Sequence, residues 1–429
     1  MDTLANRAPT PPMGWNSFDA FGGRATEGHI IANADYLAEH LKCFGWEYVV
    51  IDIAWYADYA TAEPAYAISA LHMDDHGRLI PSPKRFPSSS GGKGLKPLAD
   101  HIHAKGLKFG IHIMRGIPRV AVERNTPVLG SSARAADVAD KTGTCHWWEH
   151  MYGVDPARDG ARAYYDSIVR LYAEWGVDFI KADDMSRPYY PGEIELLAGA
   201  IERCGRQIVL SLSPGPTQLA NASHVKSHAN MWRLSADLWD KWPDILKAFD
   251  YAEQWNPYRQ PGHWPDLDML PLGRLEILPA ERGPKRWTLL TPDEQITMMT
   301  LWSIFRSPLM VGGDLPSMDD WTLSLLANKE VLDVARSSFD NRQLYRTDEE
   351  AAWTARGPRG QTCLALFNLR GKSAEVSVEL EQLGLAGRTH VRDLWSQADI
   401  GDARLRLAAK VPAHGARLFR LRDVEGSGR

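Results

Sequence analysis

Aspartate residues stand at or just after the ends of four apolar segments of this chain. They are Asp52, Asp183 with Asp184, Asp237, and Asp266 with Asp268. A single acidic residue after a strand often only caps the next helix. Several that meet at one end of a parallel sheet indicate a site instead, because the carboxyl ends of such strands carry the catalytic groups. Two facing carboxylates are what glycoside hydrolysis requires.

The elements that would position these carboxylates alternate between apolar runs and amphipathic helical stretches. Helical patterns near residues 98–104, 161–175 and 193–204 each precede an apolar run. Near-continuous apolar strands separated by helices are typical of a parallel sheet that is buried on both faces. The rhythm predicts an α/β fold, a (β/α)8 TIM barrel over residues 1–330. A doubly wound sheet stays open as an alternative, although no glycine fingerprint follows the first strand.

The pattern changes after about residue 335, where short strands alternate with turns and no helical pattern intervenes. The predicted strands are residues 351–354, 362–368, 374–380, 390–393 and 416–421. This arrangement predicts a C-terminal antiparallel β-sandwich over residues 331–429.

Composition limits the classes of function. The 429 residues carry a net charge of −5 with both signs interspersed, so nucleic acid is not an expected partner. No apolar run reaches the roughly 18 residues of a membrane helix. Four widely spaced cysteines fit neither a disulfide framework nor a zinc site, which predicts a reduced, cytoplasmic protein. We expect no metal and no cofactor; an oligomer is possible.

Five sequence motifs resemble those of glycoside hydrolase family 27, the α-galactosidases and α-N-acetylgalactosaminidases. They are PPMGWNS at 11–17, FIKAD at 179–183, RLSAD at 233–237, GHWPDLDM at 262–269 and LWSIFRSPL at 301–309. The resemblance covers nearly the whole chain in order. It implies a retaining exo-glycosidase that hydrolyses terminal α-D-galactosyl residues of a small-molecule or oligosaccharide substrate by double displacement. N-acetylgalactosamine and β-L-arabinopyranose are the alternative glycones.

The resemblance implies that Asp183 is the nucleophile and that Asp237 is the general acid and then the general base. Lys181 lies two residues before Asp183 on the same strand face, so its charge can keep that carboxylate ionised. A purely structural ion pair between the two is the alternative. Asp237 is expected near groups that raise its pKa. Retention requires the two carboxyl groups to lie about 5 to 5.5 Å apart.

The same resemblance implies the groups that bind the sugar. Its hydroxyls would bind Asp52, Lys181, Arg233 and Asp268. Trp15, Phe18 and Met269 would form the apolar floor, although Trp15 fits the barrel core equally well. His112 and Ser213 are expected in the pocket at positions where family members commonly have, respectively, a tyrosine and a glutamate that contacts the sugar 2-hydroxyl.

Some residues depart from the family pattern. Ile53 follows Asp52 where the family commonly has a second aspartate, and it either faces the sugar or points into the barrel wall. Met185 follows Asp184, so the disulfide beside the nucleophile in secreted members has no counterpart. The segment 112–119 has no assigned role.

Two other classes of function fit the sequence less well than a hydrolase. A lyase with Lys181 as a Schiff base is disfavoured, because such a lysine needs an apolar pocket and this one is flanked by Asp183 and Asp184. A non-catalytic carbohydrate-binding protein is disfavoured because both predicted catalytic carboxylates are present.

Overall fold

The structure is a computed structural model that describes residues 4–59, 68–278 and 283–424. Cα packing divides the chain into two compact units. The first comprises residues 1–237, 260–287 and 310–318, and the second comprises residues 238–259, 288–309 and 319–429. The predicted domain boundary at residue 330 stays a prediction, because compactness does not test which segments fold on their own.

Eight parallel strands form one sheet in which each strand lies beside its neighbours in the chain. They are β1 (Met13–Asn16), β2 (Tyr48–Ile51), β3 (Lys108–Met114), β4 (Phe179–Asp183), β5 (Val209–Leu212), β6 (Met231–Arg233), β7 (Trp264–Asp266) and β8 (Leu309–Val311). Strand β8 pairs with β1, and Leu270, just after β7, forms a parallel bridge with Val311. The sheet therefore closes on itself, which confirms the predicted TIM barrel.

Helices occur between the barrel strands along the chain. The longer ones are Glu27–Tyr36, Lys96–Ala104, Ala161–Glu174, Pro191–Arg203, Ala222–His228, Trp242–Trp255, Pro292–Phe305, Asp320–Leu326 and Lys329–Ser337. Four short helices are Leu4–Arg7, Phe18–Phe21, Arg119–Arg124 and Ala135–Val138. The three predicted helices are confirmed to within two residues. None of the helices in the described ranges is long and apolar enough to cross a membrane.

The interior of the barrel is filled by alternate side chains of its strands. Tyr48 and Val50 of β2 point inward and pack with Phe179, Val209 and other apolar residues in one buried cluster. All four residues of β2 are buried, as expected of a parallel strand that is covered on both faces.

Smaller antiparallel pairings project from the barrel connections. Residues Ala57–Tyr59 pair with Ile68–Leu71, and Arg274–Leu275 pair with Arg286–Trp287. Between β3 and β4, residues Met151–Val154 pair with both Ile117–Pro118 and Ala139–Thr144. We call residues 139–154 the hairpin segment.

The second unit contains the C-terminal antiparallel sheets. Their strands are β9 (Phe339–Arg346), β10 (Glu350–Arg356), β11 (Thr362–Asn368), β12 (Ala374–Glu379), β13 (Thr389–Asp393), β14 (Ala398–Ala403), β15 (Arg406–Val411) and β16 (Ala416–Asp423). A six-stranded sheet runs in the order β9-β10-β11-β16-β13-β14, and β12 pairs with β15. Leu364 and Phe419 of one sheet pack with Val376 and Leu407 of the other, which confirms the predicted β-sandwich.

The five predicted C-terminal strands are present, and three further strands were missed. Strand β14 is exposed at five of its six positions, so it shows no apolar alternation that a sequence pattern could reveal. Strand β9 likewise begins with exposed residues and keeps few apolar ones. Strand β15 has the short sequence RLAAKV, which is only weakly typical of a strand.

Candidate active site

A cavity of about 720 Å³ lies at the carboxyl ends of the barrel strands. Its lining residues are Phe18, Asp52, Ile53, His146, Trp147, Lys181, Asp183, Arg187, Pro188, Pro214, Ala236 and Asp237. Strands β2, β4, β5 and β6 end at this cavity, because parallel strands all direct their carboxyl ends the same way. The cavity thus collects the predicted catalytic pair and several of the predicted sugar-binding residues.

The innermost charged group is Asp52, whose side chain is only 2% exposed. Lys181 Nζ and Asn16 Nδ2 each donate to its Oδ2 over 2.8 Å, and the Ile53 backbone N–H donates to its Oδ1 over 2.8 Å. Burial alone would raise the pKa of Asp52, but the charge and hydrogen bond of Lys181 outweigh it and lower that pKa. In return, the pKa of Lys181 is raised against the effect of burial by the charges of Asp52 and Asp183. The environment of Asp52 therefore favours its ionised form, which can only accept hydrogen bonds.

Asp183 ends β4 beside β3, whose His112 is in register with Lys181. His112 Nε2 lies 3.0 Å from Asp183 Oδ2, and the Asp184 backbone N–H donates to Oδ1 over 2.9 Å. A carboxylate only accepts, so His112 Nε2 carries the proton. Burial would raise the pKa of Asp183, but the hydrogen bond from His112 and the charge of Lys181 lower it. The carboxylate is held ionised, the state that a nucleophile requires.

Asp237 lines the same cavity in a more open position, with 41% of its side chain exposed. Arg233, at the end of β6, places NH2 3.3 Å from Asp237 Oδ1 and 2.6 Å from Asp268 Oδ2. The two aspartates are thus joined through one buried guanidinium. Asp268 has a φ of +87°, and its backbone N–H donates to Asp266 Oδ1 over 2.9 Å. The predicted separation of the Asp183 and Asp237 carboxyl groups stays a prediction.

The remaining predicted residues divide between the cavity and its surroundings. Phe18 lines the cavity, with its ring centroid 5.7 Å from Lys181 Nζ. Met269 is buried beside a void of about 20 Å³ that also touches Lys181, Arg233 and Asp268. Ser213 precedes Pro214 of the cavity wall, and its Oγ has no hydrogen-bond partner within the described ranges.

Trp15 belongs to the packed interior. It is fully buried, its indole Nε1 donates to the Gly313 carbonyl over 2.8 Å, and its ring meets Phe21 edge-on. It is not among the residues that line the cavity. This packing favours the core alternative that the sequence left open for Trp15.

Ile53 lines the cavity directly after Asp52. Its backbone N–H is committed to the Asp52 carboxylate, and Ala54 follows in the left-handed region with φ +65°. The chain turns sharply there, and the Ile53 side chain adds an apolar surface to the wall beside the buried acceptor Asp52. Whether Ile53 contacts a sugar stays a prediction, and the structure places it among the residues that line the cavity.

Asp19 is a buried carboxyl group that the sequence analysis missed. It is 3% exposed, and its Oδ2 has no hydrogen-bond partner among the described residues. Burial, together with the charges of Asp268, Asp237 and Asp52, raises its pKa well above the ordinary value, against the opposing charge of Lys181. Asp19 is therefore a buried carboxyl group beside a charged cluster, in an environment that favours its protonated form. It comes directly after Phe18, but its type and position alone did not distinguish it from a helix-capping residue.

Arg115 lies in the segment 112–119, which had no predicted role, and it contacts the residue that follows Asp183. Its guanidinium donates to Asp184 Oδ2 over 2.9 Å and to Glu193 Oε1 over 2.6 Å, and it stacks 3.7 Å from the Tyr190 ring centroid. Tyr165 Oη donates to the other Glu193 oxygen over 2.7 Å. Burial nevertheless raises the pKa of Asp184 to about 6. Arg115 thereby fixes the backbone that follows the predicted nucleophile.

One group of potential metal ligands lies outside the cavity in the described part of the chain. Glu195, His224 and His228 place their ligand atoms within 4.8 Å of one another. His224 Nε2 lies 3.1 Å from Glu195 Oε1, and its Nδ1 lies 2.6 Å from Tyr189 Oη. Because both ring nitrogens of His224 have protein partners, the cluster is satisfied without an ion.

Family models match most of the chain. The model for alpha galactosidase A matches residues 10–122 and 155–337, and the model for the alpha galactosidase C-terminal beta sandwich domain matches residues 347–421. The chain belongs to glycoside hydrolase family 27. It is therefore a glycosidase, and double displacement is the general mechanism of its family.

Three relatives illustrate the range within family 27. A β-L-arabinopyranosidase from Geobacillus stearothermophilus is 48% identical, with a TM-score of 0.95 over 99% of each chain. A Bacillus halodurans protein, assigned provisionally as an α-N-acetylgalactosaminidase, is 45% identical, with a TM-score of 0.87 over 96% of each chain. Alpha-galactosidase 2 of Arabidopsis thaliana is 26% identical over 96% of this chain and 90% of its own.

The contact between His112 and Asp183 in this family 27 hydrolase predicts a change in pH dependence. His112→Phe removes a donor to a carboxylate, and such bonds contribute about 1.5 to 3 kcal/mol, where 1.36 kcal/mol equals one pKa unit. The pKa of Asp183 should rise, so the acidic limb of the kcat/KM profile should move up by about one pH unit. His112→Tyr keeps a donor and should move the limb less. Identical limbs in all three proteins would contradict a role for His112 in keeping Asp183 ionised.

Proposed function

We propose that this family 27 hydrolase removes terminal β-L-arabinopyranosyl residues in preference to terminal α-D-galactosyl residues, and that it acts on both with retention. The observation that carries the preference is the apolar side chain of Ile53 in the cavity wall beside Asp52. β-L-arabinopyranose is α-D-galactopyranose without its CH₂OH arm. In α-galactosidases with paired aspartates, the resemblance assigns the hydroxyls at C4 and C6 to that pair.

Ile53 cannot accept a hydrogen bond, so the galactose C6 hydroxyl loses its acceptor there. A buried hydroxyl without a partner costs about 1 to 3 kcal/mol. Arabinopyranose has no such hydroxyl, so only a carbon of its ring would contact the Ile53 side chain. The 48% identity to the Geobacillus stearothermophilus β-L-arabinopyranosidase over 99% of both chains supports the same preference.

In the proposed reaction, Asp183 attacks the anomeric carbon while Asp237 gives its proton to the glycosidic oxygen. The leaving group departs, and a glycosyl ester remains on Asp183. Asp237, now a carboxylate, takes a proton from water, which attacks the same carbon and frees Asp183. Asp52 and Asp268 accept hydrogen bonds from the glycone, and Lys181 and Arg233 donate to it.

A second glycone, α-N-acetylgalactosamine, is favoured by one feature. The Oγ of Ser213 is buried without a partner among the described residues, and serine leaves more room than glutamate at this position. Nitrophenyl glycosides of α-galactose, α-N-acetylgalactosamine, β-L-arabinopyranose and α-glucose would rank the candidates. Fastest hydrolysis of the N-acetylated substrate would overturn the proposed preference.

We also propose that the protein works in a reducing compartment, the cytoplasm. All four cysteines are free. Fractionation of the source cells would check this assignment, and hydrolase activity found mainly outside the cells would contradict it.

Asp183→Asn should reduce turnover by at least about four orders of magnitude, because an amide cannot form the glycosyl ester. The native fold should persist, since the amide keeps the shape of the side chain. A 2-fluoro-glycosyl fluoride should label Asp183 in the wild type, to be located by mass spectrometry of peptides. A label on another residue, or turnover near the wild-type rate, would show that Asp183 is not the nucleophile.

Asp237→Ala should slow substrates with poor leaving groups far more than dinitrophenyl glycosides. General acid assistance contributes about 10² to 10⁴-fold, and an activated leaving group hardly needs it. Azide should partly restore turnover by attacking the glycosyl-enzyme, with a glycosyl azide as the product. Asp320→Ala, which removes an exposed aspartate that does not line the cavity, is the control. If turnover falls equally on both types of substrate and azide does not restore it, Asp237 is not the general acid and base.

Ile53→Asp should raise kcat/KM for α-galactoside relative to β-L-arabinopyranoside by about tenfold, since 1.4 kcal/mol corresponds to that factor. The new carboxylate would accept a hydrogen bond from the C6 hydroxyl of galactose. Ile53→Asn offers an acceptor without charge and should change the ratio in the same direction. If the ratio stays within about twofold of the wild type in both variants, residue 53 does not determine the preference between the two sugars.

A further inference from the structure

The hairpin segment contributes to the cavity although the family model does not cover it. The model for alpha galactosidase A leaves out residues 123–154, yet His146 and Trp147 from this stretch line the cavity wall. Loops that vary between relatives while a common scaffold holds the chemistry commonly set specificity. The hairpin segment is therefore a candidate for a role in substrate specificity.

The hairpin segment packs directly against the residues that follow β3. Gly153 packs so closely on Arg115 that a Cβ there would lie 2.5 Å from its NH1 atom. Gly116 has φ +88°, and any side chain on it would collide with the Tyr152 carbonyl. Because Arg115 also binds Asp184 and Glu193, the segment is held by the same group that orders the backbone after Asp183.

Trp147 and Trp148 are neighbours in the chain but have different surroundings. Trp148 is 1% exposed and packs edge-on against Tyr56 and His150. Trp147 is half-buried in the cavity wall, and its ring has no aromatic or cationic partner in the described part of the chain. One indole is structural, and the other lines the cavity without a ring partner in the described residues.

Arg187 brings hydrogen-bond donors to the same wall. It is exposed, it lines the cavity, and its guanidinium makes no ion pair or hydrogen bond with any described residue. A guanidinium presents five N–H donors in a fixed plane, which suits hydroxyl groups on a ring.

Depth separates these groups from those assigned to the glycone. Asp52 and Lys181 have side chains that are 2% and 13% exposed, whereas Asp237 is 41% exposed, and His146 and Arg187 are exposed residues. An exo-acting hydrolase holds the terminal sugar at the closed end, and its leaving group extends toward solvent. Asp237 protonates the oxygen that joins the two parts, so the leaving group starts at its depth.

We propose that Trp147 and Arg187 form a subsite for a second pyranose ring, the sugar that leaves. Its C–H face packs on the Trp147 indole, and its hydroxyls accept from Arg187. The preferred natural substrate is then an oligosaccharide, and a glycoside with a small alkyl aglycone is a poorer one. This inference rests on the glycone position of the proposed function but not on which glycone binds there.

The test compares two substrates with the same glycone and different leaving groups. A glycosyl fluoride carries a single atom beyond the glycone, whereas a disaccharide with a second pyranose reaches the proposed subsite. The measured quantity is the ratio of kcat/KM for the disaccharide to kcat/KM for the fluoride, in both the arabinopyranosyl and galactosyl series. Trp147→Ala should lower this ratio at least tenfold, and Arg187→Ala should lower it severalfold.

Two further variants control for folding and for the loss of an exposed indole. Trp147→Phe keeps a flat ring and should recover most of the ratio. Trp287→Ala removes a tryptophan that is 44% exposed and does not line the cavity, and it should leave the ratio at the wild-type value. Equal losses on both substrates in Trp147→Ala and Trp147→Phe, or an unchanged ratio in Trp147→Ala, would overturn the subsite. Failure of the wild type to hydrolyse either fluoride would instead overturn the proposed glycone.

Discussion

The site depends on the ammonium group of Lys181, which lies among carboxylates and is only 13% exposed. Buried charges are costly unless they are paired, so the carboxylates at the barrel mouth persist as anions only where a cation or an N–H donor reaches them. Lys181 meets this condition for Asp52 directly and for Asp183 through its charge. Arg233 does the same for Asp268. Asp19 receives no hydrogen bond from either cation among the described residues, and burial raises its pKa instead.

This distribution of charge assigns different chemistry to residues of one type. Asp52 and Asp183 are fixed in the acceptor state by donors that belong to β2, β3 and β4 or follow them. Asp237 is placed where solvent and substrate can reach it, which suits a group that gives and regains a proton in each cycle. Residues of one type thus lie at different depths in the barrel, Asp52 almost fully buried and Asp237 41% exposed.

The sequence predicted the parts of the site that depend on strand ends. Asp52, Asp183 and Asp237 follow β-strands whose apolar runs are visible in the chain, and the closure of the barrel brings them to one cavity. The alternation of apolar runs and helices was likewise enough for the fold class. These features follow local patterns, which a single sequence records well.

The parts that sequence reasoning missed depend on contacts between distant segments. Arg115 donates a hydrogen bond to Glu193, which is 78 positions away in the chain, and no local sequence pattern links the two residues. Trp147 faces the cavity and Trp148 the interior, although both belong to the same Trp-Trp pair. Which of two adjacent tryptophans is exposed depends on how the hairpin segment folds back, and this information is not in the local sequence.

The backbone beside Asp183 is held by the contacts of Arg115, so its position does not require a disulfide bond. A disulfide at that position would hold the backbone only under oxidising conditions, because a reductant could break the bond. Here two carboxylates and one aromatic ring perform the fixing, and Cys145, beside the cavity residue His146, has a thiol whose pKa burial raises to about 12. A thiol in that state is a poor nucleophile toward oxidants and disulfides. The backbone beside Asp183 is therefore held in place without a disulfide.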